Sequence, residues 1–155
     1  MSYFLYIERV PTKEECKQMH DFIDGGKFEM LKHFLEKCYN KHTLCEINFG
    51  WKVMFRLGSG LFEPTRQSII DFCKKNHYIV TGAEKQMTID EAFEFIDEHN
   101  NNPKNKHTYK SYFDEHPEMH YSFHLGNIKN DKWKEKGYNV EYNAFENDGL
   151  YFYCD

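Results

Sequence analysis

Twice in this chain a threonine is followed three residues later by a glutamate at the mouth of an apolar stripe with helical spacing: Thr12-Lys-Glu-Glu15 and Thr88-Ile-Asp-Glu91. In such a box the threonine hydroxyl accepts from a backbone N–H of the first turn and the glutamate reaches back to the cap, so both positions predict helix starts. The first helix carries Cys16, Met19 and Phe22/Ile23 inward and stops at Gly25-Gly26. A second follows with Phe28, Leu31, Leu35 and Cys38 at spacings of three, four and three. Pro64-Thr65 opens a third, with Ile69, Ile70 and Cys73 inward, and the fourth, after Thr88, buries Ile89, Ala92, Phe93 and Ile96.

Strand patterns lie between these helices. Residues 3–10 (YFLYIERV) are apolar on both faces and end at Pro11, as in a buried strand. Leu44 to Phe49 reads as the next. From Trp51 to Leu57 the pattern alternates, with Trp51, Val53, Phe55 and Leu57 on a packed face and Lys52, Met54 and Arg56 toward solvent. Tyr78-Ile79-Val80 is a further short strand. Residues 100–107 (NNNPKNKH) hold no apolar side chain and read as a loop or linker. Beyond it the period becomes two: Met119, Tyr121, Phe123 and Leu125 form one alternating set, Tyr138, Val140, Tyr142 and Ala144 another. Asn147-Asp148-Gly149 turns the chain into Leu150–Cys154 as a C-terminal hairpin. The expected fold is α+β, a single domain over 1–155: a mixed or antiparallel sheet with about four helices packed on one face, a β-α-α-β-β-α-β-α part over 1–99, and a mainly β extension over 108–155.

Core volume is to come from rings, because 14 Phe, 11 Tyr and 2 Trp sit in a chain of strongly negative mean hydropathy. The net charge is −5, with 13 basic against 16 acidic residues over 1–99 and 7 against 9 over 100–155, so neither half is a basic module and the balance argues against direct nucleic-acid binding. Five cysteines, an odd number with no Cys-x-x-Cys pair, read as reduced thiols of a cytoplasmic protein. The N-terminus lacks a basic segment followed by a long apolar one, which excludes a signal peptide, and no apolar run reaches the length of a membrane helix.

The segments Phe49-Gly50-Trp51-Lys52-Val53-Met54-Phe55, Pro64-Thr65-Arg66-Gln67-Ser68-Ile69-Ile70-Asp71-Phe72, Thr88-Ile89-Asp90-Glu91-Ala92-Phe93 and Asp148-Gly149-Leu150-Tyr151-Phe152 carry a resemblance. Together they resemble small uncharacterised accessory proteins encoded by bacteriophages and prophages. The likeness departs at residues 82–86, where Gly-Ala-Glu-Lys-Gln replaces an acidic-Tyr-Gly turn, and does not extend to 100–136. It implies no catalytic residues. It implies a protein that binds and blocks a host protein, an anti-defence inhibitor of a CRISPR effector for example.

Several constellations bear on chemistry. His120 and His124 share a strand face with Ser122 between them and Glu141 or Asn143 on a neighbouring strand, a set that suits acid–base work in a small hydrolase or transferase, or alternatively the site of a ligand-binding protein. Four strand residues span about 13 Å, too far for one metal ion to bridge the two histidines, and a solvated sheet face is the simpler account. Cys38, His42 and Cys45, with His33 a turn earlier, have zinc-compatible spacing, yet Cys38 already completes a packing stripe. Gly58-Ser59-Gly60 lacks the Lys-Ser/Thr of a phosphate loop, and no charge stands near Cys154 to activate it.

For a docking surface, Glu94 and Asp97 lie on the acidic outer side of the fourth helix, and Tyr112 and Trp133, with Tyr109 and Phe113, are aromatic anchors if exposed and packing residues if covered by the linker. The reading is a non-enzymatic binding protein with no cofactor and a protein partner.

Overall fold

The computed structural model describes residues 2–58, 60–119 and 131–154, and of Asp131 the backbone alone. Along the chain run β1 (Ser2–Arg9), α1 (Lys13–Asp24), α2 (Phe28–Cys38), β2 (Lys41–Asn48), β3 (Met54–Arg56), α3 (Arg66–Lys75), β4 (Tyr78–Gly82), β5 (Lys85–Met87), α4 (Ile89–Asn101), α5 (Tyr109–Glu115), a 3₁₀ turn at Pro117–Met119, α6 (Asp131–Glu135), β6 (Ala144–Asn147) and β7 (Leu150–Tyr153). The seven strands form one mixed sheet in the order β5-β4-β1-β2-β3-β7-β6. All neighbours are antiparallel except β3 and β7, which run parallel and so join the C-terminal hairpin to the rest of the sheet.

The capping residues act as their chemistry requires. Glu15 N–H donates to the Thr12 hydroxyl while Thr12 N–H donates to the Glu15 carboxylate. At α4, Glu91 N–H donates to Thr88, and the Glu91 carboxylate takes the Thr88 hydroxyl instead of a backbone group. Thr65 caps α3 through Ser68 N–H.

Register assigns the two sheet faces. Leu5 pairs with Cys45, Cys45 with Phe55 and Phe55 with Phe152, so these four point one way, and the intervening Glu46, Met54, Arg56, Tyr151 and Tyr153 point the other. On the first face Phe93 of α4, Phe55, Phe152 and Phe145 form a row of rings with centroids 5.7, 5.6 and 5.5 Å apart. Trp133 of α6 meets the end of the row at Phe145. Each ring pair adds about 0.5–1.5 kcal/mol beyond burial. On the second face Tyr109 of α5 meets Tyr153 with centroids 5.6 Å apart. Helices therefore cover both faces, and six α-helices are present among the described residues, where about four on one face were expected.

The strand expected over Trp51–Leu57 is shorter. Only Met54–Arg56 pairs in the sheet, and Met54, expected in solvent, is buried at 4% exposure. The preceding backbone is satisfied elsewhere, by the segment that reads as a linker. His107 N–H donates to the Gly50 carbonyl and Lys52 N–H to that of His107. Asn105 Oδ1 accepts from Gly50 N–H and Asn100 Oδ1 from Val53 N–H, both at 2.8 Å. His99 Nε2 lies 2.9 Å from the Trp51 carbonyl, and Lys52 Nζ reaches the carbonyl of Asn100. Residues 100–107 are thus the end of α4 and a polar clamp. Trp51, only half-buried, packs on His107, Tyr109 and Tyr112.

Beyond the clamp a mainly β extension was expected, and the described chain there includes α5 and α6; the alternating set Met119, Tyr121, Phe123 and Leu125 lies, after Met119, outside the described residues. Tyr138–Asn143 is not a strand, because Tyr142 and Asn143 at φ 54° and 59° reverse the chain between Glu141 and Ala144, where β6 begins. The Asn147–Leu150 turn is as expected, with Asp148 and Gly149 at φ 53° and 71°. At the opposite edge β5 is an addition, turned by Ala83 and Glu84 at φ 48° and 60°. Gly82 precedes that turn at φ +151°, and a Cβ there would lie 2.6 Å from the Phe4 carbonyl oxygen.

Candidate functional site

The residues proposed for chemistry separate. His120 and His124 lie outside the described residues. Glu141 accepts from Lys110 Nζ at 2.8 Å and is half-buried beside α5. His33 is 78% exposed on α2 and faces Glu36, Cys38 is buried at the end of that helix, and His42 and Cys45 belong to β2, His42 against the ring of Tyr78. The spacing that suits zinc does not bring these four together, and among the described residues no group of three or more His, Cys, Asp or Glu side chains is placed to share a metal ion. Cys45 is fully buried and its thiol is pushed up by desolvation; Cys73 is pushed up, to about 12, by the same cause. Cys154 is buried too, at 2% exposure.

Of the docking candidates, Glu94 is exposed as expected. Asp97 is engaged: both its oxygens take the Arg66 guanidinium at 2.7 and 3.0 Å, a forked pair that ties α3 to α4. Trp133, 5% exposed, belongs to the core against Tyr138 and Phe145. Tyr112 is half-buried between Trp51, at 4.9 Å between centroids, and His116, stacked at 4.2 Å. Tyr112 and Trp133 are therefore packing residues, Tyr112 on α5 and Trp133 on α6.

The exposed apolar surface stands elsewhere. α1 and α2 pack on each other through Phe22 and Phe34, with ring centroids 5.7 Å apart. Cys38 is the only residue of either helix that is buried. At the tip of this helical hairpin, around Gly25-Gly26, Ile23, Phe28 and Met30 are 48, 65 and 50% exposed. Phe28, expected in the inner stripe, is thus the most exposed residue of that set.

The base of the hairpin is fixed by one carboxylate. Glu15 accepts two guanidinium bonds from Arg9 at 2.9 and 2.7 Å, the Cys38 thiol at 3.0 Å and the cap N–H of Thr12. The Arg9 guanidinium and the Cys38 thiol hold the Glu15 carboxyl far below its ordinary range. The hairpin is therefore rigidly joined to β1 at one end and presents apolar side chains at the other.

A second feature is a cleft of about 540 Å³ between α5 and the second sheet face. Its floor includes Met54, Tyr151 and Glu146, which are neighbours on one rung of β3, β7 and β6. Its wall is α5, where Thr108 and Ser111 cap each other and Lys110 is held by Asp114 at 3.0 Å and Glu141 at 2.8 Å. Hydrogen bonds to those two carboxylates raise the Lys110 ammonium above its usual value, so it is a charged strut and not a base.

Comparison of the chain with protein-family models, with curated proteins and with solved structures finds no significant match. Among the described residues no helix is long and apolar enough to cross a membrane.

Proposed function

We propose that the protein is a binding protein that acts by occupying the surface of a protein partner, with the tip of the α1–α2 hairpin as its contact. The observation that carries this reading is the group Ile23, Phe28 and Met30, at least 48% exposed each, on a hairpin that buries only Cys38. Large apolar side chains left exposed around one interhelical turn take no part in the core and supply apolar surface that a protein interface can desolvate. The resemblance to bacteriophage accessory proteins directs the search for the partner to bacterial host proteins, defence effectors included.

The test compares the unaltered protein with Phe28→Asp/Met30→Asp on an affinity resin loaded with bacterial lysate. An aspartate in the first turn of α2 suits the helix dipole, so the fold survives, as circular dichroism will verify. The expected result is a partner retained by the unaltered protein and by Glu94→Lys but lost from the double variant. Equal retention by all three refutes the assignment of the tip. A stable dimer in light scattering that the double variant dissolves points instead to a second copy of this chain.

A further inference from the structure

The cleft under α5 is independent of the hairpin, and we propose that it binds a small zwitterionic ligand, an amino acid or short peptide, between Lys106 and Glu146. The case begins with which charges of the cleft are already used. Lys110 is spent on Asp114 and Glu141, and Asp114 also accepts from the Tyr142 hydroxyl at 2.7 Å. That network closes the wall on itself and fixes α5 against the turn at Glu141. Lys106 and Glu146 line the same space, both are exposed, and neither side chain has an ion-pair or hydrogen-bond partner among the described residues. One ammonium and one carboxylate, unpaired on each other and facing a common cavity, complement a molecule that carries one of each.

The surface between them fits the body of such a ligand. Tyr151 and Met54 form adjoining parts of the floor, and Tyr109 is part of the wall, its ring fixed by Tyr153 and Phe113 at 5.6 Å between centroids. Burial and the Glu146 carboxylate raise the Tyr151 phenol, so it stays a hydroxyl and remains available as a hydrogen-bond donor at neutral pH. A volume of about 540 Å³ lies within the range of small-molecule sites and exceeds a single small amino acid. Glu146 stands on a strand, and Lys106 follows Asn105, whose side chain is locked by Gly50 and His99. The two charges are thus presented from fixed backbone, which lowers the ordering cost of binding.

The experiment titrates the full chain, labelled with ¹⁵N, with glycyl-leucine, its N-acetylated form and its C-terminal amide, and follows amide chemical shifts. The expected result is saturable binding of free glycyl-leucine with shifts confined to the cleft, at Met54 and within residues 106–114 and 139–151. Affinity should fall tenfold or more on acetylation, on amidation, in Glu146→Gln and in Lys106→Gln. Both substitutions are at exposed positions, so the spectrum should otherwise be retained. No saturable shifts at millimolar dipeptide, or equal binding of the blocked forms, overturns the proposal. Either failure leaves the hairpin reading untouched, because that reading is scored by Phe28 and Met30.

Discussion

Replacing Asn105 by alanine should cost the fold about 2–3 kcal/mol, because one buried amide holds two segments of backbone together. Asn105 is 3% exposed, accepts from Gly50 N–H at 2.8 Å and donates to the His99 carbonyl at 2.9 Å. Each bond contributes about 1 kcal/mol net, and partners left partly buried without replacement add to that figure. Asn105→Asp keeps the acceptor for Gly50 but sets a carboxylate oxygen against the His99 carbonyl, so it too should destabilise. Asn102→Ala removes only an exposed bond to Lys104 N–H and should stay within about 0.5 kcal/mol of the unaltered protein. Urea unfolding followed by tryptophan fluorescence measures all three. An Asn105→Ala variant as stable as Asn102→Ala would refute the view that residues 100–107 clamp the Trp51 segment.

Three further outcomes are expected. The depressed Glu15 carboxyl stabilises the fold fully above the ordinary glutamate pKa of about 4.3, and that contribution declines as the pH falls below it. Glu15→Gln should therefore cost about 1–2 kcal/mol at neutral pH and flatten the acid limb of stability against pH. Trp133→Ala should cost about 3–5 kcal/mol, and Trp133 fluorescence in a Trp51→Phe background should resist iodide quenching, as a ring in the core requires. A thiol reagent at neutral pH should modify Cys16 first, with Cys38, Cys45, Cys73 and Cys154 reacting only on unfolding, since these four are buried; rapid labelling of Cys45 would contradict the core.

The parts of the fold legible in the sequence were those written in local chemistry. Thr12, Thr65 and Thr88 mark helix starts because a hydroxyl meets an orphan N–H within three residues, and Asp148-Gly149 marks a turn because both positions need positive φ. β5 was not legible, because the same turn geometry is made by Ala83-Glu84, residues that carry no such signal. Trp51–Leu57 misleads because the backbone from Gly50 to Val53 is partnered by the side chains of Asn105 and Asn100 and by the His107 carbonyl, about fifty residues away, and a polar loop with no apolar residue gives no sign that two of its amides turn inward. Tyr109, Tyr112 and Phe113 suit strand and helix alike. The Thr108–Ser111 cap, a weaker form of the glutamate box, was the one available sign of α5. Phe28 was read as buried from spacing alone. Spacing gives the stripe of a helix but not whether that stripe meets a core, and of the two hairpin helices only Cys38 is buried.

Occupancy of a partner's surface is tested most directly by titrating the captured bacterial protein with this one while following the partner's own activity. Occupancy predicts inhibition that grows in proportion to the protein added, saturates near equimolar, reverses on dissociation and is lost with Phe28→Asp/Met30→Asp. Progressive inactivation of a large excess of partner by a sub-stoichiometric amount of protein would contradict it, since only turnover could produce that result.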